Sequence, residues 1–164
     1  NKLLRCRLTA PLTFIYLEIV KMILDKETLF SLDQAVTASA VSKQIIDLTP
    51  VYGAFRDIGI GEPLELFAQV TEQAKAAGEA TVQIKLETAT DDKFSDAKSI
   101  FESVAMPIAD LNAGKRIVAK VPQGVLKYLR LQYVVAEGPL TAGKFTAGIN
   151  LTVDAHPIYD AVTQ

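Results

Sequence analysis

Lys127 to Val153, KYLRLQYVVAEGPLTAGKFTAGINLTV, is the stretch whose reading decides the fold class. Leu129, Leu131, Tyr133 and Val135 share one parity, and Tyr128, Arg130, Gln132 and Val134 share the other. Past Glu137-Gly138-Pro139 the alternation resumes, with Phe145, Ala147, Ile149, Leu151 and Val153 set against Lys144, Thr146, Gly148, Asn150 and Thr152. In an extended chain successive side chains point to opposite faces, so each segment has one face to bury and one to show. Two such segments across a Gly/Pro turn predict a hairpin. A hairpin needs further sheet to cover its apolar face, and the rest of the chain has to supply it.

The same period of two recurs upstream. Leu64, Leu66, Ala68 and Val70 alternate with Glu65, Phe67, Gln69 and Thr71, and Ala80, Val82, Ile84 and Leu86 alternate with Thr81, Gln83, Lys85 and Glu87. The turn Lys75 to Glu79 between them predicts that these two strands pair antiparallel. Shorter strand signals lie at Gln34–Thr37, Lys43–Leu48 and Lys98–Ser103, and Met106-Pro107-Ile108 continues toward the turn Asp110–Gly114. Lys115 to Val121 alternates again, with Ile117, Ala119 and Val121 opposite Arg116, Val118 and Lys120. Gly, Pro, Asp and Asn punctuate residues 51–63, 88–97, 110–114 and 122–124. No amphipathic helical period follows Met22. About eight short strands with turn signals between them predict an all-β chain, a jelly-roll-like two-sheet antiparallel sandwich. An immunoglobulin-like sandwich is the alternative, although its Cys…Trp…Cys pattern is absent.

The chain has 164 residues, 49 % of them hydrophobic and 22 % charged, which suits one domain around one sizeable core. A net charge of −2 and a pI of about 5.4 disfavour nucleic-acid binding through a broad basic surface. With only Cys6 there is no internal disulfide, and one Cys with one His makes a poor zinc set. No run approaches the ~18 apolar residues of a membrane span.

Residues 1–21, NKLLRCRLTAPLTFIYLEIVK, differ from the rest in being basic and apolar. A secretory signal is one reading, but Glu18 and Lys21 interrupt the apolar segment and no small-x-small site follows. A mitochondrial-type amphipathic leader is another. The favoured reading is translated leader sequence ahead of a start at Met22, because Leu17-Glu18 can be encoded by a purine-rich ribosome-binding stretch. That organisation gives one β-sandwich domain over 22–164, with an extended arm over 22–42 and an irregular tail over 154–164. Mass spectrometry of the native protein checks it.

Candidate residues for chemistry are few. Nucleophilic catalysis wants a base beside the nucleophile, and the single histidine, His156, sits in the proline-containing tail. Glu65, Glu87, Asp91 and Asp92 are carboxylates on outward strand positions or loops, where solvation is the default. Asp91, Asp92 and Asp96 lack the spacing and the glycine of a calcium loop. Gly59-Ile60-Gly61 lacks the further glycines and the following helix of a phosphate loop. The expectation is a binding or structural unit, without enzymatic activity or cofactor. Tyr52 and Phe55 are candidate protein contacts, since aromatics are enriched in interface cores; folding back over an open end of the sandwich is the equal alternative. Tyr128 and Arg130 on the outward face are further candidates, against a solvated sheet face.

Three blocks carry a family resemblance: MILDKETLFS…QAVTASAVS…IDL, then RDIGIGEPLELFAQVTE, then KYLRLQYVV…GPLTAGKFTAGI. Together they resemble the Bbp16-like capsid cement, or decoration, proteins of tailed phages, from Met22 to about Asp154. The family begins at the position of Met22, which leaves residues 1–21 without a counterpart. The resemblance implies a jelly roll on the outside of an HK97-like capsid, bridging copies of the phage major capsid protein and self-associating. It implies a virion protein made in the host cytoplasm, with no enzymatic activity. On it, the expected capsid or self-association contacts are Arg56, Asp57, Ile58, Gly59, Ile60 and Gly61, with Leu24, Asp25, Leu29 and Phe30 of the arm. A carbohydrate-binding jelly-roll module, reading glycans through Tyr128 or the Asp91/Asp92 loop, is the alternative function.

Overall fold

A computed structural model describes residues 24–49, 57–61 and 63–153. Ten strands run through them: β1 Leu29–Ala35, β2 Ala40–Val41, β3 Ile46–Asp47, β4 Glu65–Ala76, β5 Thr81–Ala89, β6 Lys98–Glu102, β7 Met106–Pro107, β8 Arg116–Lys120, β9 Tyr128–Ala136 and β10 Leu140–Asn150. Two single-turn 3-10 segments, Lys26–Thr28 and Ile108–Asp110, complete the regular structure among the described residues. One sheet has the order β1-β10-β4-β8. The other has the order β2-β9-β5-β6, with β3 also on β9 and β7 also on β5. All pairings are antiparallel. The chain is all-β, a sandwich of two antiparallel sheets.

The alternation read in the sequence sets what lies between the sheets. Leu129, Leu131 and Tyr133 of β9, Val82, Ile84 and Leu86 of β5, and Leu66, Ala68 and Val70 of β4 are buried, as are Phe145, Ala147 and Ile149 of β10. Each such Val, Leu, Ile or Phe side chain removed from water stabilises the fold by about 1.5–3 kcal/mol. The rings of Tyr133 and Phe145 meet across the core at 5.4 Å between centroids, tilted by 38°.

The pairing of strands departs from the expected hairpins in two places. β9 and β10 are not partners: β9 pairs with β5 and β10 with β4, so Glu137-Gly138-Pro139 is a corner between sheets. Likewise β4 and β5 do not pair, and the connection after Ala76 is a second corner. The two corners lie side by side, because Leu140 is opposite Ala76 and Thr81 is opposite Ala136. A single antiparallel ribbon, β4–β5 against β9–β10, thus folds over on itself, which gives the sandwich its jelly-roll-like character. The Leu140 N–H goes to Thr37 O at 2.8 Å, and Pro139 has no N–H to offer a ladder. Glu137 (φ 62°) and Gly138 (φ 124°) bend the chain tightly before it crosses.

Three local expectations also change. The first strand starts at Leu29 rather than near Gln34, so the middle of the expected arm is a ladder strand on β10. The outward parity of β10 is not solvated at Thr146 and Gly148. Thr146 accepts the Asp33 N–H at 3.0 Å. A Cβ at Gly148 would lie 2.8 Å from Thr28 O and 3.1 Å from the Phe67 ring, so only glycine lets these groups close over the strand. Leu151, placed on the inward parity, is past the end of β10 and 70 % exposed.

Polar groups also bind the sheets together. Tyr133 of β9 donates to the Ser31 hydroxyl of β1 at 3.0 Å, and Ser31 donates to Gln34 Oε1 at 2.8 Å. Gln34 Oε1 also accepts the Lys43 N–H, and its amide nitrogen donates to Val41 O. Ser31, Gln34 and Tyr133 are all buried, so these hydrogen bonds remove polar groups that would otherwise be costly to enclose.

Candidate partner-binding surface

The Gly-rich loop is held rather than loose. Asp57 accepts the N–H of Gly59 at 2.9 Å and of Val125 at 3.3 Å through Oδ1, and that of Gly124 at 2.8 Å through Oδ2. Burial acts to raise the Asp57 pKa, but the N–H groups of Gly124, Gly59 and Val125 outweigh it and hold the carboxyl below its ordinary value. Gly59 lies so close to the Pro122 turn that a Cβ there would sit 2.1 Å from Pro122 O. Gly61 has φ +111° with open space around it, a backbone conformation that glycine adopts without strain. Ile58 packs against the core, and Ile60 is left 65 % exposed. Sequence reasoning placed all five residues on a surface loop. It did not reveal that Asp57 and Gly59 fasten the loop, because their partners lie more than sixty residues away.

The arm residues separate in the same way. Leu29 and Phe30, expected as contacts, are buried in the chain's own packing at 6 % and 0 % exposure and leave no side-chain surface for a partner. Asp25 is exposed and caps the first 3-10 turn, accepting the Glu27 N–H at 3.0 Å; Leu24 is half-buried beside it. Tyr52, Phe55 and Arg56 lie outside the described residues, as do Cys6 and His156 and the whole of the leader and tail readings.

On the outward face of β9, Arg130 is engaged by its own chain. Its Nε donates to Glu87 Oε2 at 2.7 Å, and its guanidinium lies 4.2 Å from the centre of the Phe94 ring. Phe94 is buried with φ 56°, an unusual conformation for a non-glycine residue, where the 90–97 loop folds back over the sheet. Lys127 sits over the Tyr128 ring at 4.8 Å. Within the 90–97 loop the acids are also used locally. Asp96 accepts from Thr90, and Asp91 accepts from the Ser95 hydroxyl and N–H, first among the interactions that lower its pKa. Among the described residues no group of His, Cys, Asp or Glu is arranged to hold a metal ion.

One exposed apolar group escaped the sequence. Leu32, Val41 and Ile45 are 60 %, 44 % and 44 % exposed. They lie where β1 meets the β2–β3 segment, joined by Gln44 N–H to Phe30 O and by Gln34 to Val41 O. Leu32 is pushed out by an irregularity in the β1–β10 register, followed by Asp33 at φ 46°. No residue pattern in LFSLDQA announces that bulge.

Among the described residues no helix is long and apolar enough to cross a membrane. No curated protein matches the chain. A family model described as Bbp16 matches residues 30–149, from the second residue of β1 to the penultimate residue of β10, and so covers the sandwich. The chain belongs to the Bbp16 family, a phage-associated family whose name points to a phage structural protein.

Proposed function

We propose that this protein is a non-enzymatic cement, or decoration, protein on the outer surface of a phage capsid, where it bridges neighbouring major capsid proteins and self-associates. Two things support the reading. Family membership supplies the phage context. The observation that carries the contact is Ile60, 65 % exposed on a loop fastened by Asp57 to the Pro122–Val125 turn. A large apolar side chain on a rigid loop loses little freedom on docking, which favours a partner contact over an idle turn. A protein that binds the assembled lattice, and not its dissociated subunits, stabilises the lattice by linkage. Cation and acid pairs on the β9 face act within the chain in this reading, as scaffold for the loop.

Co-sedimentation with expanded, empty capsids tests the proposal. The protein is expected to pellet with capsids and to raise their resistance to heat. Ile60→Asp should weaken capsid binding about ten-fold or more without altering the unfolding temperature. A protein that neither bound such capsids nor self-associated would end the cement reading.

A further inference from the structure

The exposed Leu32, Val41 and Ile45 lie along the seam where β1, at the edge of one sheet, meets the β2–β3 segment, at the edge of the other among the described residues. Gln44 N–H donates to Phe30 O at 3.0 Å, while Gln34 accepts the Lys43 N–H at 2.9 Å and donates to Val41 O at 2.8 Å. These bonds fix the levels along the seam. Phe30 is level with Gln44, and Gln34 with Val41 to Lys43, so Leu32 comes level with Lys43, between Val41 and Ile45. The same bonds occupy the Val41 C=O and the Lys43 and Gln44 N–H groups, so a partner meets side chains here rather than an open ladder. Charge of both signs flanks the apolar residues. Asp33 follows Leu32 on the β10 side, with its N–H on Thr146, and Lys43 lies on the β9 side, next to Ser42, whose N–H goes to Leu131 O. Both are exposed, and neither takes part in an ion pair among the described residues. Asp33 adds its field to Lys144, whose ammonium is already held by Glu72 at 2.7 Å.

We infer that this seam binds a second copy of the chain about a two-fold axis parallel to β1. Leu32 of each copy sits between Val41 and Ile45 of the other, and Asp33 of each faces Lys43 of the other. The inference rests on the self-association in the proposed function and gives it a surface. Self-complementarity selects the occupant. An isologous contact matches a patch to itself after half a turn, so every feature needs its counterpart on that same patch. Turning the seam about this axis lays the β10 side of one copy on the β9 side of the other. The protruding leucine then meets the gap between two apolar residues, and the anion meets the cation, twice over. Burial of the apolar side chains of both copies supplies the attraction, and the charge pairs at the rim set the register.

Sedimentation velocity on the full chain over a concentration series tests the inference, with thermal unfolding of each variant as the check on folding. Leu32→Asp is expected to weaken association about ten-fold or more. Asp33→Lys and Lys43→Asp should each do the same, because each opposes like charges at both ends of the contact. An equimolar mixture of the Asp33→Lys and Lys43→Asp chains is expected to associate about as well as the unaltered chain, since every pair across the axis then has opposite signs. Ile60→Asp should leave association unchanged. Asp33 has φ 46°, so if Asp33→Lys fails to fold, Leu32→Asp and Lys43→Asp carry the test. Association unaltered by those two variants would overturn the inference and leave self-association to another surface. An unaltered chain that stays monomeric at every concentration would overturn the inference and the self-association reading together, while co-sedimentation reports separately on the capsid. Loss of capsid binding in Leu32→Asp with association intact would overturn it in favour of a capsid contact.

Discussion

The Tyr133 hydroxyl donates to the Ser31 hydroxyl at 3.0 Å, joining the two sheets through the middle of the sandwich. Ser31 passes the connection to Gln34, which takes up the chain at Val41 and Lys43. Removing the hydroxyl in Tyr133→Phe should lower stability by about 1–2 kcal/mol and the midpoint by a few degrees, measured by thermal and denaturant unfolding. Ser31→Ala should cost more, because it leaves the tyrosine hydroxyl buried without a partner.

Tyr133 also predicts behaviour in alkali. Burial pushes its pKa up to about 12 from an ordinary 10.0, with the Ser31 bond only partly opposing. The raised value belongs to the folded state, so the associated stability is fully present below pH 10 and is lost as pH rises through 12. Absorbance titration should show one of the five tyrosines ionising late, together with unfolding, and Tyr133→Phe should remove that step.

Asp57 predicts the opposite edge. Its pKa is lowered in the fold, so its contribution is present above the ordinary value of 3.8 and is lost as pH falls below it. Asp57→Ala strands the Gly124 and Val125 N–H groups and should cost about 1–2 kcal/mol. Its larger effect should be on capsid binding, since Ile60 is no longer held. Unfolding midpoints and co-sedimentation on the same variant separate the two.

Gly59→Ala and Gly61→Ala should differ. At Gly59 the added carbon meets the Pro122 backbone at 2.1 Å, so the loop or the turn must move, at about 1–3 kcal/mol. At Gly61 there is open space and only the φ of +111° to strain, so the loss should be nearer ~1 kcal/mol. Thermal unfolding of the two variants side by side checks the order.

Arg130 is bound to Glu87 and stacked on Phe94, so Arg130→Lys is not conservative: lysine can keep a charge near Glu87 but has no planar group for the ring. Both Arg130→Lys and Arg130→Ala should loosen the 90–97 loop, seen as faster limited proteolysis there. Arg130→Ala should cost about 1–2 kcal/mol of stability. Capsid binding should be little changed by either if the β9 face is scaffold.

Much of the sandwich was legible because burial follows parity. A strand needs one apolar face, so a period of two marks the inward residues of β4, β5, β8 and β9 without any knowledge of their neighbours. The surface loops were legible from Gly, Pro and Asp for the same local reason. The surface itself was not. Leu29 and Phe30 resemble exposed arm residues until β1 is laid on β10. Arg130 resembles a free cation until Glu87 and Phe94 are brought to it. Ile60 stands out as an exposed side chain only once Asp57 is fastened to the turn 67 residues further on.

The sequence by itself determined which residues extend, which of their faces is dry, and that the product is an all-β sandwich. Only the tertiary structure decided which strands are partners. The connections at Ala77–Ala80 and Glu137–Pro139 are short enough for hairpins, yet both are corners, and β4 pairs with β10 while β5 pairs with β9. Period-two alternation presents the same dry face whether the neighbouring segment lies beside the strand or across the core from it. The choice is made by ladders between residues about 40 to 85 positions apart, and no local stretch of chain contains both sides of that comparison.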